Sequence, residues 1–360
     1  MHKSAYPQKE FSPEELETLR AKRRVRRIIS ILVLCALLVI AAMAGLFAGS
    51  YALSLADIQA VFAKRLFGSA SVDVPKVAEV VIWQIRMPRL ILAAVSGMAL
   101  AVAGVAYQGC FRNPLVEPFI LGASSGAACG AALSMLFPLL FAQTQLTAFA
   151  FALGGVALSS WLARSRGHTP PVSLVLSGII VGALFMAAVG IMKYLANDAE
   201  LREITFWMLG GFHHAGWSDA FAVSALTFPS ALVIWALAWK LNLLALGDDE
   251  SRSLGVNPSQ LRRILLFFAT LAAASCVASA GIIAWVGLMA PHAARLLFGA
   301  DHRWLVPASG LLGATYLLFC DYLARTLTGA EIPIGILSAT VGAPFLLWLI
   351  RVKGRELYVE

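Results

Sequence analysis

Charge is scarce in this chain. Of its 360 residues only 13% are Asp, Glu, Lys or Arg, whereas 59% are apolar and the mean hydropathy is +0.79; soluble domains carry about 25% charged residues. That shortage excludes a water-soluble core and makes a lipid bilayer the natural solvent. Paired cysteine is missing too: Cys35, Cys110, Cys129, Cys276 and Cys320 stand singly at or inside apolar stretches. Without a C-x-x-C pair they read as small buried apolar residues and not as disulfides or metal ligands. No G-x-x-x-x-G-K-[ST] loop occurs, which excludes the usual cradle for nucleotide phosphates. Short-period repeats and low-complexity linkers are also lacking, so one membrane domain is the economical reading, spanning residues 29–353 behind a basic tail at 1–28.

What is present in quantity is apolar sequence of membrane length. A bilayer needs about 20 residues per helix. Ten such segments can be drawn, at 29–50, 88–109, 118–140, 146–163, 172–195, 220–246, 262–281, 282–298, 304–324 and 334–350. The expected fold is therefore an all-α membrane protein of about ten transmembrane helices. With the amino terminus inside, 20 of the 28 Lys and Arg fall on the inner side and 8 on the outer. That asymmetry predicts that both termini are cytoplasmic, and it accounts for the net charge of +8 without invoking nucleic acid. The basic run Lys22-Arg23-Arg24-Val25-Arg26-Arg27 reads as a stop before the first helix, with contact to anionic lipid head groups as the alternative. Ala42-Met43-Ala44 resembles a signal-peptidase site, but the apolar run is too long for a signal peptide, and no cleavage is expected.

Polar interruptions of these segments are the informative positions. Between the second and third lie Gln108, Arg112, Asn113, Pro114, Glu117 and Pro118. Charged, proline-broken backbone survives near a bilayer only where water or protein satisfies it, so a structured elbow is expected. Gly122, Gly126 and Gly130 recur every fourth residue, a small-residue face for close helix packing. The same stretch reads G-x-S-x-G around Ser124, and a serine hydrolase with His292 as base is the competing reading, but that motif needs a strand before the serine. Arg86 and Arg89 lie one turn apart and should project from one face toward water, whether as snorkelling anchors or as a binding surface. Arg325 has Asp321 one turn before it, as a possible partner. Residues 198–212 look like an interfacial helix on the outer side, with Leu201, Ile204 and Met208 on one face. On the inner side, 243–260 is either a solvated loop or a short helix over 245–254, ended by Gly255 and Pro258. Pro291 breaks the hydrogen-bond ladder of the eighth segment beside His292 and Arg295. No His spacing suggests a metal site.

In chain order, Arg86-Met87-Pro88-Arg89, Gln108-Gly109, Arg112-Asn113-Pro114-Leu115, Glu117-Pro118, Leu121-Gly122 with Ser124 to Gly126, Leu243 to Gly247 with Leu254-Gly255, Gly287 to His292, Asp301-His302-Arg303 and Pro333-Ile334-Gly335 resemble the FecCD-type permeases of ATP-driven bacterial importers for iron chelates, haem and cobalamin. The resemblance covers about residue 80 to the end. It implies an inner-membrane permease acting as a homodimer around the path, with two separate ATPase subunits and one substrate-binding protein. No cofactor is expected in this chain, with ATP and Mg on the ATPase. It implies docking of the binding protein by Arg86, Arg89 and Arg325. Insertion into the ATPase would be carried by Asp248, Asp249, Glu250, Ser251, Arg252, Leu254 and Gly255. Helix elbow and packing roles fall to Asn113, Pro114, Glu117, Pro118, Gly122, Gly126, Gly130 and Pro291. An iron chelate is the first cargo expectation and a corrinoid the alternative, although Pro170-Pro171 departs from the hydroxyl residues associated with the cobalamin member at the inner gate, Gly167 to Pro171. An ion-driven carrier would instead want membrane-embedded carboxylates, and only Asp321 comes near.

Overall fold

The computed structural model describes residues 12–49, 51–67, 75–164 and 170–358, and among these every regular element is helical. In order they are α1 (Pro13–Phe47), α2 (Leu55–Phe67), α3 (Lys76–Val80), α4 (Met87–Phe111), α5 (Ala123–Leu136), α6 (Thr144–Leu162), α7 (Pro171–Leu195), α8 (Asp198–Leu209), α9 (Trp217–Ala236), α10 (Ala238–Leu244), α11 (Asp248–Ser253), α12 (Pro258–Ala280), α13 (Val286–Phe298), α14 (His302–Thr326) and α15 (Ile334–Tyr358). A π-helical stretch over Val81–Arg86 joins α3 to α4, so that Lys76–Phe111 runs unbroken. Among the described residues seven helices are long and apolar enough to cross a membrane, and three more apolar helices are shorter. Together they match the ten segments drawn from the sequence.

The axis of the bundle is α4, buried along almost its whole length and packed on α9, α12, α13 and α14. Its glycines explain how one helix serves so many neighbours. A Cβ on Gly97 would lie 2.1 Å from the Gly313 carbonyl oxygen, and one on Gly104 would lie 2.0 Å from that of Gly287. The backbones of α14 and α13 therefore touch α4 directly, which only the smallest residue permits. The same device joins α5 to α6, where Gly126 and Gly130 face the carbonyls of Phe151 and Thr147. The small-residue face read from the sequence is a packing face.

Several boundaries differ from expectation. The helix that carries the first apolar segment begins well before it: α1 starts at Pro13, capped by a reciprocal Ser12–Glu15 box, and runs through the basic stretch without a break. The second span starts at Lys76 and not 88. The third is only 14 residues long, because 118–122 belong to the elbow and Phe137 closes the helix. The sixth is broken at Leu237 into α9 and α10. The eighth begins at Val286, because Gly281 and Trp285 adopt positive φ and hold 281–285 out of helix. Helix α8 forms as expected, capped by Asn197 and Glu200, with Ile204 buried and Leu201 left exposed. Of the inner-gate turn, 165–169 lie outside the described residues, as do 1–11 of the tail.

Candidate functional site

Two polar clusters occupy opposite ends of the bundle. At one end Arg89, 6% exposed, donates from Nε to Asp321 Oδ1 at 2.7 Å and from a terminal nitrogen to both Glu331 oxygens at 2.9 Å. Asp321, fully buried, also lies 2.8 Å from Arg325. Arg325 then donates to the carbonyls of Gly45 and Ala48, and Arg86 to those of Leu46 and Tyr51. Gly45, Leu46 and Ala48 are the carbonyls at the end of α1, which lack intrahelical donors and carry the negative end of its dipole, and Tyr51 lies just beyond. The expectation that Arg86 and Arg89 project into water is thus corrected: both are buried, because they close α1 and neutralise carboxylates of α14 and the following turn. The pairing of Arg325 with Asp321 is as the spacing suggested.

At the other end Arg262, 5% exposed in the second turn of α12, donates from both terminal nitrogens to Asp248 and from Nε to the Cys110 carbonyl at 2.9 Å. One guanidinium thereby ties α11 to the end of α4. Ser251, fully buried, donates to Leu243 O and closes the loop on itself. Asp249, Glu250, Arg252, Leu254 and Gly255 are exposed, and Leu254 and Leu246 are exposed apolar residues, at 56% and 61%. The predicted short helix exists but is trimmed to Asp248–Ser253. Beside it Asp301 caps α14 and accepts from Asn242 Nδ2 at 2.8 Å, which gives the Asp301-His302-Arg303 run a structural role.

The elbow links the ends. Arg112 takes a left-handed conformation at φ 51, Asn113 N donates back to Gln108 O, and the Asn113 side chain accepts from Leu115 N. Pro114 lies in the turn, Pro118 opens a 3-10 turn, and Gly122 at φ 85 redirects the chain into α5. Glu117 accepts the Trp285 backbone N–H and Pro118 lies against Gly287, so protein holds the inner part of the elbow while Arg112 and Asn113 stay exposed. Pro291 has no N–H, which leaves the Gly287 carbonyl without its helical donor; Gln108 Nε2 fills that place at 3.2 Å, and Gln108 Oε1 accepts from Arg295 at 3.0 Å. Ser124 lies at the start of a helix after a 3-10 turn, with no strand before it, so the nucleophile-elbow context is absent.

This architecture superposes on a metal-chelate type ABC transporter solved in an inward-facing conformation, with a TM-score of 0.79 and 36% identity over 89% of this chain and 98% of the other. Residues 37–352 match the FecCD transport family. The chain belongs to the FecCD transport family. Among its relatives, the hemin transport system permease HmuU of Yersinia pestis is 43% identical over 75% of this chain and 83% of its own length. The molybdate import system permease MolB of Haemophilus influenzae is 38% identical over 86% of this chain and 91% of its own. The cobalamin import system permease BtuC of Halobacterium salinarum is 39% identical over 77% and 75%.

Within this FecCD chain, sequence reasoning located both polar ends but missed the partners that organise them, Arg262 and Glu331. Arg262 did carry a signal, since a charged side chain within an apolar helix demands a partner. Its partner's carboxyl is held below the ordinary value of 3.8, first by the hydrogen bond from Arg262, against the opposing effect of burial. A depressed carboxylate contributes stability that is present above its ordinary range and lost as pH falls through its folded value. Protease nicking of 243–257 is therefore expected to increase as pH falls below about 5 and onward through the folded value. Asp248→Ala should show that looseness at every pH, at a cost of about 1–3 kcal/mol. A wild-type nicking rate flat across this range would remove the pair's role.

Proposed function

We propose that this FecCD chain is the membrane-spanning subunit of an ATP-driven importer that carries a metal chelate, an iron complex first, from the periplasmic side to the cytoplasm. The observation that carries the reading is the superposition over 89% of the chain on a metal-chelate type ABC transporter. Two copies enclose the path, and ATP with Mg is handled by separate ATPase subunits, in keeping with the absence of a phosphate loop. Both termini and α11 face the cytoplasm, a reading supported by the excess of Lys and Arg on that side. The exposed part of the acidic loop, Asp249, Glu250, Arg252, Leu254 and Gly255, enters the ATPase, while Asp248 and Ser251 brace it from within.

The arginine end faces outward and receives an acidic lobe of the binding protein. Three guanidiniums there face two carboxylates, and Glu331, 46% exposed, is the member able to give way to an incoming acid. Nucleotide-driven movement of α11 passes through Arg262 to α4 and switches access between the two sides. The test is uptake into vesicles holding this chain, its ATPase and its binding protein, with ferric siderophore, haem, cobalamin and molybdate compared. ATP-dependent accumulation of a chelate is expected. Accumulation without the ATPase would refute the reading, and accumulation of cobalamin alone would select the corrinoid alternative.

A further inference from the structure

A cavity of about 340 Å³ lies beside the connection between α8 and α9, within the size range of small-ligand sites. Arg202, Glu203, Phe206 and Trp207 of α8 line it together with His213 and His214. The two imidazoles are 4.3 Å apart between centroids. None of these six residues belongs to the docking network, the coupling loop or the elbow. The His213 ring sits over Gly211, where a Cβ would come within 2.9 Å of its Nδ1.

Among the described residues no group of three or more His, Cys, Asp or Glu could hold a bare metal ion, so the pair is not a resident metal site. A metal that arrives inside a chelate needs only the positions its chelate leaves open. A hexadentate siderophore leaves none. A flat tetrapyrrole leaves the two axial positions, for which a neutral imidazole nitrogen is a ready donor. Partial burial, then His214 and Arg89, keep His213 below its ordinary pKa against the pull of Glu331. Phe206 and Trp207 offer ring surface to a flat macrocycle, and the Arg202 guanidinium suits a peripheral carboxylate, with Glu203 beside it limiting the positive charge.

We infer that this cavity is a receiving site for an iron(III) porphyrin type of chelate, with an imidazole of the His213–His214 pair as axial ligand. The inference rests on the reading of this chain as a chelate importer, and it deepens that reading by naming the cargo class and its first contact. The Ile334 backbone N–H donates to Gly210 O at 3.0 Å, which puts the cavity next to the turn carrying Glu331, at the end where the binding protein is proposed to dock.

The test is a titration of the full chain in lipid discs with iron(III) protoporphyrin, followed by the Soret band. A band shift from imidazole ligation is expected, with affinity weakened at least about tenfold in the His213→Ala/His214→Ala double variant. Metal-free protoporphyrin can stack but not ligate, and should bind both forms alike. Gly211→Ala displaces the His213 ring without removing its nitrogen, and should weaken ligation about tenfold. Both imidazoles are exposed, so the truncations leave the core intact, and equal melting temperatures would verify that. An unchanged titration of the double variant overturns the inference. ATP-driven uptake of a siderophore without any porphyrin ligation would also overturn it while leaving the importer reading in place. Absence of ATP-driven uptake for every chelate would overturn the importer reading itself.

Discussion

Arg89→Ala is expected to lower the unfolding free energy by about 3–5 kcal/mol, the range for stripping one partner from a buried ion pair. Asp321 is fully buried and would be left with Arg325 alone, and Glu331 would lose both of its hydrogen bonds from Arg89. Arg325 already meets the other Asp321 oxygen at 2.8 Å and also serves the α1 carbonyls of Gly45 and Ala48, so Oδ1 would lose the partner it has. Arg89→Lys should fall between the two, since an ammonium keeps the charge but cannot reach both carboxylates as a fork. Reversal to glutamate would gather three carboxylates at one point, so a docking defect in such a variant would report misfolding as much as a lost surface. Denaturant unfolding in detergent micelles measures the effect. A loss below about 1 kcal/mol would mean that the network contributes no more than an exposed pair does.

Leu254→Asp is expected to reduce ATP-driven uptake at least about thirtyfold, the counterpart of a 2 kcal/mol hot spot, without changing the melting temperature. Its side chain is 56% exposed, at the end of α11. Removing all of 248–254 would be a poorer test, since it also removes the Asp248–Arg262 tie and the Ser251 hydrogen bonds. ATPase copurification and uptake should fall together. Unchanged uptake by Leu254→Asp would end the coupling role assigned to this loop.

What the sequence left open at these sites has one cause: it shows spacing but not rotation. Arg86 and Arg89, three residues apart, were legible as a pair, yet whether they met water or the end of α1 depended on how α1 and α14 pack against α4. Gln108 and Pro291 were each visible as oddities in apolar helices. Their connection through the Gly287 carbonyl spans 179 residues and appears only when α4 meets α13. Glu331, in a turn of no evident pattern, carried no signal at all.

By itself the sequence determined the solvent, the ten apolar helices, the polar elbow, the acidic loop and, through motifs in order, the family. Those follow from local facts: hydropathy over a helix length, proline's missing N–H, glycine's missing side chain. Only the tertiary structure decided which polar groups face inward and which remain available to partners. In an apolar medium an unpaired charge or carbonyl is so costly that each one is assigned its partner by whichever helix arrives beside it, and that arrival is a property of the whole bundle.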